Sequence, residues 1–277
     1  VASGCIYGGD PARQPAESTG QSASRSVEMA DGGRATFRRV SWQTRYLDRF
    51  YGQREGWVDG TTQFHEMCRR NVPSPARLLE IGAGPSNRTS DFLATLGELE
   101  GVDIDPDVKT NRALKAAHTI TGDSYPYADG SFDACISNYV AEHVENPPAH
   151  LAEVHRVLKK GGAYLIRTPN LYHYVSLVSW LTPHWFHTAV ANRLRDREGA
   201  HDPYPTQYLM NTRASLSALA RAAGFEVSSL ELVEKEPSYG LYARPLFLVF
   251  MGYERLVNSH ELAAPLRSNL FVALRKA

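Results

Sequence analysis

The sequence predicts an α/β protein built on a mostly parallel sheet, and two features carry that prediction. Residues 78–105, LLEIGAGPSNRTSDFLATLGELEGVDID, open with a short apolar run ending in Glu80 and turn through Gly82-Ala83-Gly84. They continue with Phe92, Leu93 and Leu96 at helical spacing and close on a second apolar run at Asp103, which makes a β-loop-α-β unit. Beyond it, short apolar runs at 118–121, 132–137 and 163–167 are separated by helical patterns at 107–117 and 151–158. At 277 residues the chain fits one large domain with additions.

The elements follow in order. Residues 1–33 are rich in Gly, Ser, Ala and Pro without periodicity, so a disordered or loose arm is expected. Val1 stands where an initiating methionine is usual, so a literally translated GTG start codon or a start set too far upstream is expected; the intact mass of the native protein decides. Residues 34–72 read as a helical cover, with Trp42, Tyr46 and Phe50 on one helix face at four-residue spacing. The core is expected over residues 73–277, with insertions at about 170–211 and 236–262.

Within the glycine turn, Gly82 and Gly84 let the backbone bend sharply and let a ligand approach without meeting a Cβ. A dinucleotide fingerprint wants a third glycine where Asn87 and Arg88 stand, which counts against a pyrophosphate. The acid Glu80 before the turn instead suits a ligand with positive charge, and Asp103 at the next strand end is placed for two ribose hydroxyls. Asp105, before Pro106, reads as a helix cap.

These residues, with GVDIDP at 101–106, GDSYPYADGSFDACISNYVAEHVENP at 122–147 and RVLKKGGAYLIRTPN at 156–170, resemble the class I S-adenosylmethionine-dependent methyltransferases, type 11-like. The blocks stand in the family's order and cover roughly residues 77–227. The resemblance implies a Rossmann-like seven-stranded sheet of order 3-2-1-4-5-7-6, its last strand (269–275) antiparallel, with helices on both faces and a helical lid insertion. It implies S-adenosylmethionine as cofactor and S-adenosylhomocysteine as product. It also implies cofactor contacts from Glu80, Gly82, Ala83 and Gly84, ribose contacts from Asp103, and adenine contacts from Ile104, Asp123 and Ser124. Asn138 and Tyr139, leaving the carboxyl end of the fourth strand, face the methyl donor, and Tyr46 is a further candidate because the segment before the first strand closes over the cofactor in related enzymes.

Catalytic candidates are His143, in the family's Glu-His pair, and His184 and His187 in the insertion. That insertion is aromatic (Tyr172, Tyr174, Trp180, Trp185, Tyr204 and Tyr208), as a substrate lid or a homodimer interface would be. His184-x-x-His187 lacks a third ligand at metal spacing, so no metal is expected. Residues 213–223 read as a helix capped by Thr212, and residues 241–257 as a second cap helix or a shallow membrane-surface element.

Thirty basic and thirty acidic residues cancel, which argues against a nucleic-acid partner. Cys5, Cys68 and Cys135 make no CxxC pair, no apolar run approaches a bilayer's thickness, and no secretory signal is visible, so a cytoplasmic setting is expected. The expected function is O-methylation of a small-molecule, sugar or lipid-linked acceptor. The alternatives are C- or N-methylation, a cyclase-like enzyme that retains the cofactor without methylating, and a non-enzymatic binding protein.

Overall fold

The computed structural model describes residues 41–181 and 204–277, and the expected arm over 1–33 lies outside them. The chain divides between Val58 and Asp59 into two compact units. In the first, helix α1 (Trp42–Leu47) is capped by Ser41, whose Oγ accepts from Thr44 N–H at 3.2 Å, and runs into a π-helical turn, Asp48–Gly52. The rings of Trp42, Tyr46 and Phe50 meet edge to face at 5.5 Å each, so the four-residue stripe is one face.

The second unit holds the sheet: β1 (Ala76–Ile81), β2 (Gly97–Asp103), β3 (Ala116–Thr119), β4 (Phe132–Asn138), β5 (Leu158–Pro169), β6 (Phe225–Val233) and β7 (Asn269–Lys276). Their order is β3-β2-β1-β4-β5-β7-β6, with β7 antiparallel to both neighbours, as expected. The helices are α2 (Gly60–Asn71), α3 (Arg88–Leu93), α4 (Pro147–Val157), α5 (Tyr174–Leu181), α6 (Arg213–Ala222) and α7 (Arg244–Ser259).

Strand periodicity explains the layers. Leu79, Cys135, Tyr164 and Ile166 point to the face covered by Leu151 and Val154 of α4 and Leu216 and Ala220 of α6. Their neighbours Leu78, Ala134, Ile136, Ala163 and Leu165 point the other way, against Phe64, Met67 and Cys68 of α2 and Leu93 of α3. Each fully buried Leu or Ile here stabilises the fold by about 1.5–3 kcal/mol relative to an exposed one. Local signals set the helix starts. Asp59 Oδ1 accepts from Thr61 and Thr62 N–H at 2.9 and 3.0 Å to start α2, and Thr212 with Ser215 forms a capping box at α6.

Two expected elements differ. Residues 107–117 are not a helix: a 3₁₀ turn, Pro106–Thr110, ends where the buried Asn111 turns its side chain to the carbonyls of Gly84 (3.2 Å) and Ala83 (3.4 Å). A tertiary hydrogen bond there outcompetes the local helical preference. The helix expected over 151–158 runs from Pro147 to Val157, and β5 begins at once at Leu158, with a register shift against β4 that Gly161 at φ +75° accommodates. No described helix is long and apolar enough to cross a membrane.

Candidate functional site

The donor half forms where β1 and β2 end side by side. Gly82 (φ +68°) donates its N–H to Val102 O at 2.8 Å, and an added Cβ would lie 2.3 Å from Val140 Cγ2, so this glycine is required by packing. Gly84 (φ +55°) has open space where its Cβ would be, a concavity that a ligand can fill. Ala83 is buried, with its Cβ turned toward Gly101, and can offer only backbone. Asp103 ends β2 with both carboxylate oxygens oriented by the chain: Oδ2 accepts from Gly84 N–H at 2.9 Å and Oδ1 from Asp105 N–H at 2.8 Å. Each oxygen keeps a lone pair for a further donor.

Glu80 lies near the end of β1, before the glycine turn. It is 3 % exposed, and its Oε2 accepts from Ser90 Oγ–H at 2.7 Å. Ser90 Oγ in turn accepts from the amides of Asn87 and Asn111, both at 2.9 Å. Burial, opposed by the Ser90 hydrogen bond and reinforced by Asp103 and Asp91, raises the Glu80 carboxyl to about 8. Glu80 is thus the base of a network that fixes the glycine turn, and its charge is suppressed near neutral pH.

Toward β3, Ile104 follows Asp103 with 52 % of its surface exposed, an apolar face at the strand tip. Asp123 is half-buried, and burial with Glu145 and Glu153 nearby raises its carboxyl. Ser124 is exposed beside it, in a turn tied down by Tyr125 N–H donating to Glu153 Oε1 at 2.6 Å. Asp105 caps the following turn as expected, accepting from Asp107 N–H at 2.9 Å. Tyr46 belongs to the other unit.

On the β4 side, Asn138 donates from Nδ2 to Thr89 Oγ1 at 3.2 Å, while its Oδ1 is buried without a partner. Tyr139 adopts φ +59°, a left-handed conformation that costs a non-glycine residue about 1–2 kcal/mol. It is held there by its N–H to Arg167 O at 2.8 Å and its hydroxyl to Asn269 Oδ1 at 2.9 Å, so the ring turns toward β7. His143 Nδ1 lies 3.0 Å from Pro205 O; a carbonyl can only accept, which assigns the proton to Nδ1 and leaves Nε2 with a lone pair. Burial holds the imidazole below its usual pKa, hence neutral, and Tyr204 packs edge to face on it at 6.4 Å. His184 and His187 lie outside the described residues.

Sequence reasoning did not single out the polar chain beside His143. Thr168 donates to Glu142 Oε2 at 2.9 Å and accepts from Asn211 Nδ2 at 2.7 Å, and Leu171 N–H donates to Asn211 O at 2.8 Å. The Leu171–Asn211 bond joins the two ends of the insertion, and Gln207 N–H donating to Glu142 O at 2.7 Å ties its second end to the turn after β4. Burial raises the Glu142 carboxyl to about 7. Among the described residues no group of three or more His, Cys, Asp or Glu could hold a metal. A cavity of about 470 Å³ opens at the opposite, amino-terminal rim, lined by Arg70, Asp133, Lys159 and Arg275 among others, and none of the site residues lines it.

Comparison with known proteins agrees with this geometry. Residues 79–166 match the family described as Methyltransferase domain. An uncharacterized methyltransferase of Mycobacterium sp. (strain KMS) is 29 % identical over 177 residues, 60 % of this chain and 59 % of the relative. The chain thus spans about 59 % of the length of the first curated relatives it matches. Among solved structures, the complex of the Haloferax volcanii Trm112 methyltransferase activator with a putative methyltransferase aligns with TM-score 0.52 at 16 % identity, over 84 % of this chain and 93 % of that one. The [4+2]-cyclase SpnF aligns with TM-score 0.51 at 18 % identity, over 80 % of this chain and 84 % of that one. At these identities the structural likeness concerns the fold.

Proposed function

We propose that the protein, whose residues 79–166 match the family described as Methyltransferase domain, is a class I S-adenosylmethionine-dependent methyltransferase that transfers a methyl group to a hydroxyl of a small-molecule, sugar or lipid-linked acceptor. One observation carries this reading: Asp103, oriented by two backbone donors, lies beside a glycine turn that leaves open space at Gly84. A carboxylate so fixed accepts two vicinal hydroxyls without reorganising. Exposed Ile104 offers adenine an apolar face, and Asp123 offers its exocyclic amine an acceptor.

S-adenosylmethionine supplies a methyl group already activated by the charge on sulfur. The chain's own contribution is positioning, which can be worth roughly 7–11 kcal/mol of a barrier. A hydroxyl nucleophile also has a proton to lose. His143, neutral and with the Nε2 lone pair 3.9 Å from Glu142 Oε1, is the base that this reading assigns, and such a base contributes roughly 10²–10⁴-fold. The exposed apolar residues Leu248, Val249 and Leu256 of α7 support a lipid-linked acceptor or a peripheral membrane contact. Buried free thiols at Cys68 and Cys135 support a cytoplasmic setting.

The test is transfer of tritiated methyl from S-adenosylmethionine to fractionated host metabolites, with S-adenosylhomocysteine measured in parallel. Labelled product with stoichiometric S-adenosylhomocysteine is expected. Turnover of a metabolite without its release would favour a cofactor-retaining, non-methylating enzyme, and absence of any binding of either nucleoside would reject the reading.

A further inference from the structure

Arg167 lies near the carboxyl end of β5 as the register partner of Asn138 on β4. The residue is only 5 % exposed, yet no Asp or Glu among the described residues forms an ion pair with it. Its Nη1 donates to Thr61 Oγ1 at 3.1 Å, and the guanidinium lies over the rings of Tyr139 (4.6 Å) and Phe271 (5.5 Å). Nε is buried with no partner at all. Gly60 is what admits the neighbouring nitrogen, since a Cβ there would lie 3.0 Å from Nη2. A buried cation with one edge unmatched is an unfavourable arrangement for a chain to hold by itself.

The charged groups around Arg167 do not complete it. Burial raises the carboxyls of Glu236, just beyond β6, and of Glu142 to about 7, outweighing Arg167, which draws both down; neither is within ion-pair distance of it, and Glu236 Oε2 is itself buried without a partner. Asp59 is committed to capping α2 and to Arg88 at 3.5 Å. Lys235, half-buried with its Cγ near Gly60, adds positive charge to the same corner. Along the rim, Asp103 ends β2, the glycine turn leaves β1, Asn138 ends β4 and Arg167 follows on β5, with neighbouring strands about 4.8 Å apart. Asn138 bonds Thr89 in the helix after the glycine turn, so the corner is continuous with the donor half.

We propose that Arg167 receives a carboxylate of a bound ligand, taken on the Nε–Nη2 edge where the carboxyl ends of β4 and β5 meet the start of α2. The planar fork suits the two oxygens of a carboxylate, which a lysine would meet only as a point charge. This rests on the methyl-transfer reading, and two sources present the group: the amino-acid tail of the sulfonium nucleoside, or the acceptor.

The experiment compares wild type with Arg167→Gln by calorimetry, using S-adenosylhomocysteine and 5′-methylthioadenosine, which keeps the nucleoside and lacks the tail. Trifluoroacetate serves as a fluorine-NMR probe of the carboxylate site. If the tail is the source, the variant binds S-adenosylhomocysteine weaker by roughly tenfold or more and 5′-methylthioadenosine within about twofold of wild type. If the acceptor is the source, both affinities hold, and trifluoroacetate is broadened by S-adenosylhomocysteine-saturated wild type but stays sharp with the variant. Retained 5′-methylthioadenosine binding certifies the variant's fold, and if it is lost, Arg167→Lys, which keeps the charge without the fork, carries the same comparison. Unchanged S-adenosylhomocysteine affinity together with trifluoroacetate signals that are equal for wild type and variant overturns the proposal. A wild type that binds neither nucleoside refutes the methyl-transfer reading, and the trifluoroacetate comparison then decides Arg167 by itself.

Discussion

Replacing Asp103 with alanine has two separable effects. The first is on folding: Gly84 N–H and Asp105 N–H lose their acceptors at 2.9 and 2.8 Å. A buried donor left unpaired costs about 1–3 kcal/mol; Gly84 N–H is buried and Asp105 only half-buried, so the loss is about 2 kcal/mol, mostly from Gly84. For a unit of this size that is a fall of about 4–8 °C in Tm. The second effect is on binding: two hydrogen bonds from a ribose diol to a charged acceptor are lost, about 1.5–3 kcal/mol each, or roughly 10²–10⁴ in Kd. Asp103→Asn divides the two, since its Oδ1 still serves Asp105 while its amide group presents a donor to Gly84 N–H; an intermediate loss of affinity is expected. Calorimetry with S-adenosylhomocysteine and a thermal melt of the apo protein read the two quantities. Unchanged affinity in Asp103→Ala would refute the ribose assignment, and an unchanged Tm would show that the two backbone bonds do not hold the turn.

Two further expectations follow from the glycines and the buried carboxyls. Gly84→Ala should cost the apo fold about 1–2 kcal/mol, the penalty of a left-handed alanine, yet weaken nucleoside binding strongly because its methyl enters open space. Gly82→Ala should lower Tm further, since its methyl meets Val140; the reverse ranking in thermal melts would contradict the packing argument. The apo protein should also lose stability between pH 6.5 and 8. Burial raises Glu80 to about 8 and Glu142, Glu234 and Glu236 to about 7 from an ordinary 4.5, so the folded state binds these protons more tightly. Their contribution is complete below the unfolded value and is lost as pH climbs through the folded ones. His65, His150 and His173, lowered by burial to about 4 from 6.5, act oppositely, adding stability as pH rises from 4 to 6.5. Between about pH 4.5 and 6.5 the three imidazoles offset most of the loss from the four carboxyls, and above pH 6.5 only the loss remains, so a Tm that rises from pH 6.5 to 8 would show the signs to be wrong.

Much of the architecture was legible because it is written in local patterns. Apolar runs bounded by glycine became β1 and β2, the Thr212 cap started α6, and Asp105 capped its turn. What was not legible depends on partners distant in the chain. The stretch 107–117 has the composition of a helix, but Asn111 is recruited by Gly84, 27 residues away. That Glu80 Oε2 accepts from Ser90, itself held by Asn87 and Asn111, could not be read from spacing. Arg167 looks like any polar residue near a strand end, and its isolation appears only once Thr61, 106 residues earlier, is its hydrogen-bond partner and no carboxylate accompanies it.

The joined ends of the insertion carry a consequence for its length. Leu171 is fastened to Asn211 and Gln207 to Glu142, so both ends of the insertion are held by backbone bonds. Doubling the length of a flexible segment with fixed ends costs only about 0.6 kcal/mol in closure entropy. A change in length is therefore a small term beside the anchoring bonds at Leu171, Asn211 and Gln207.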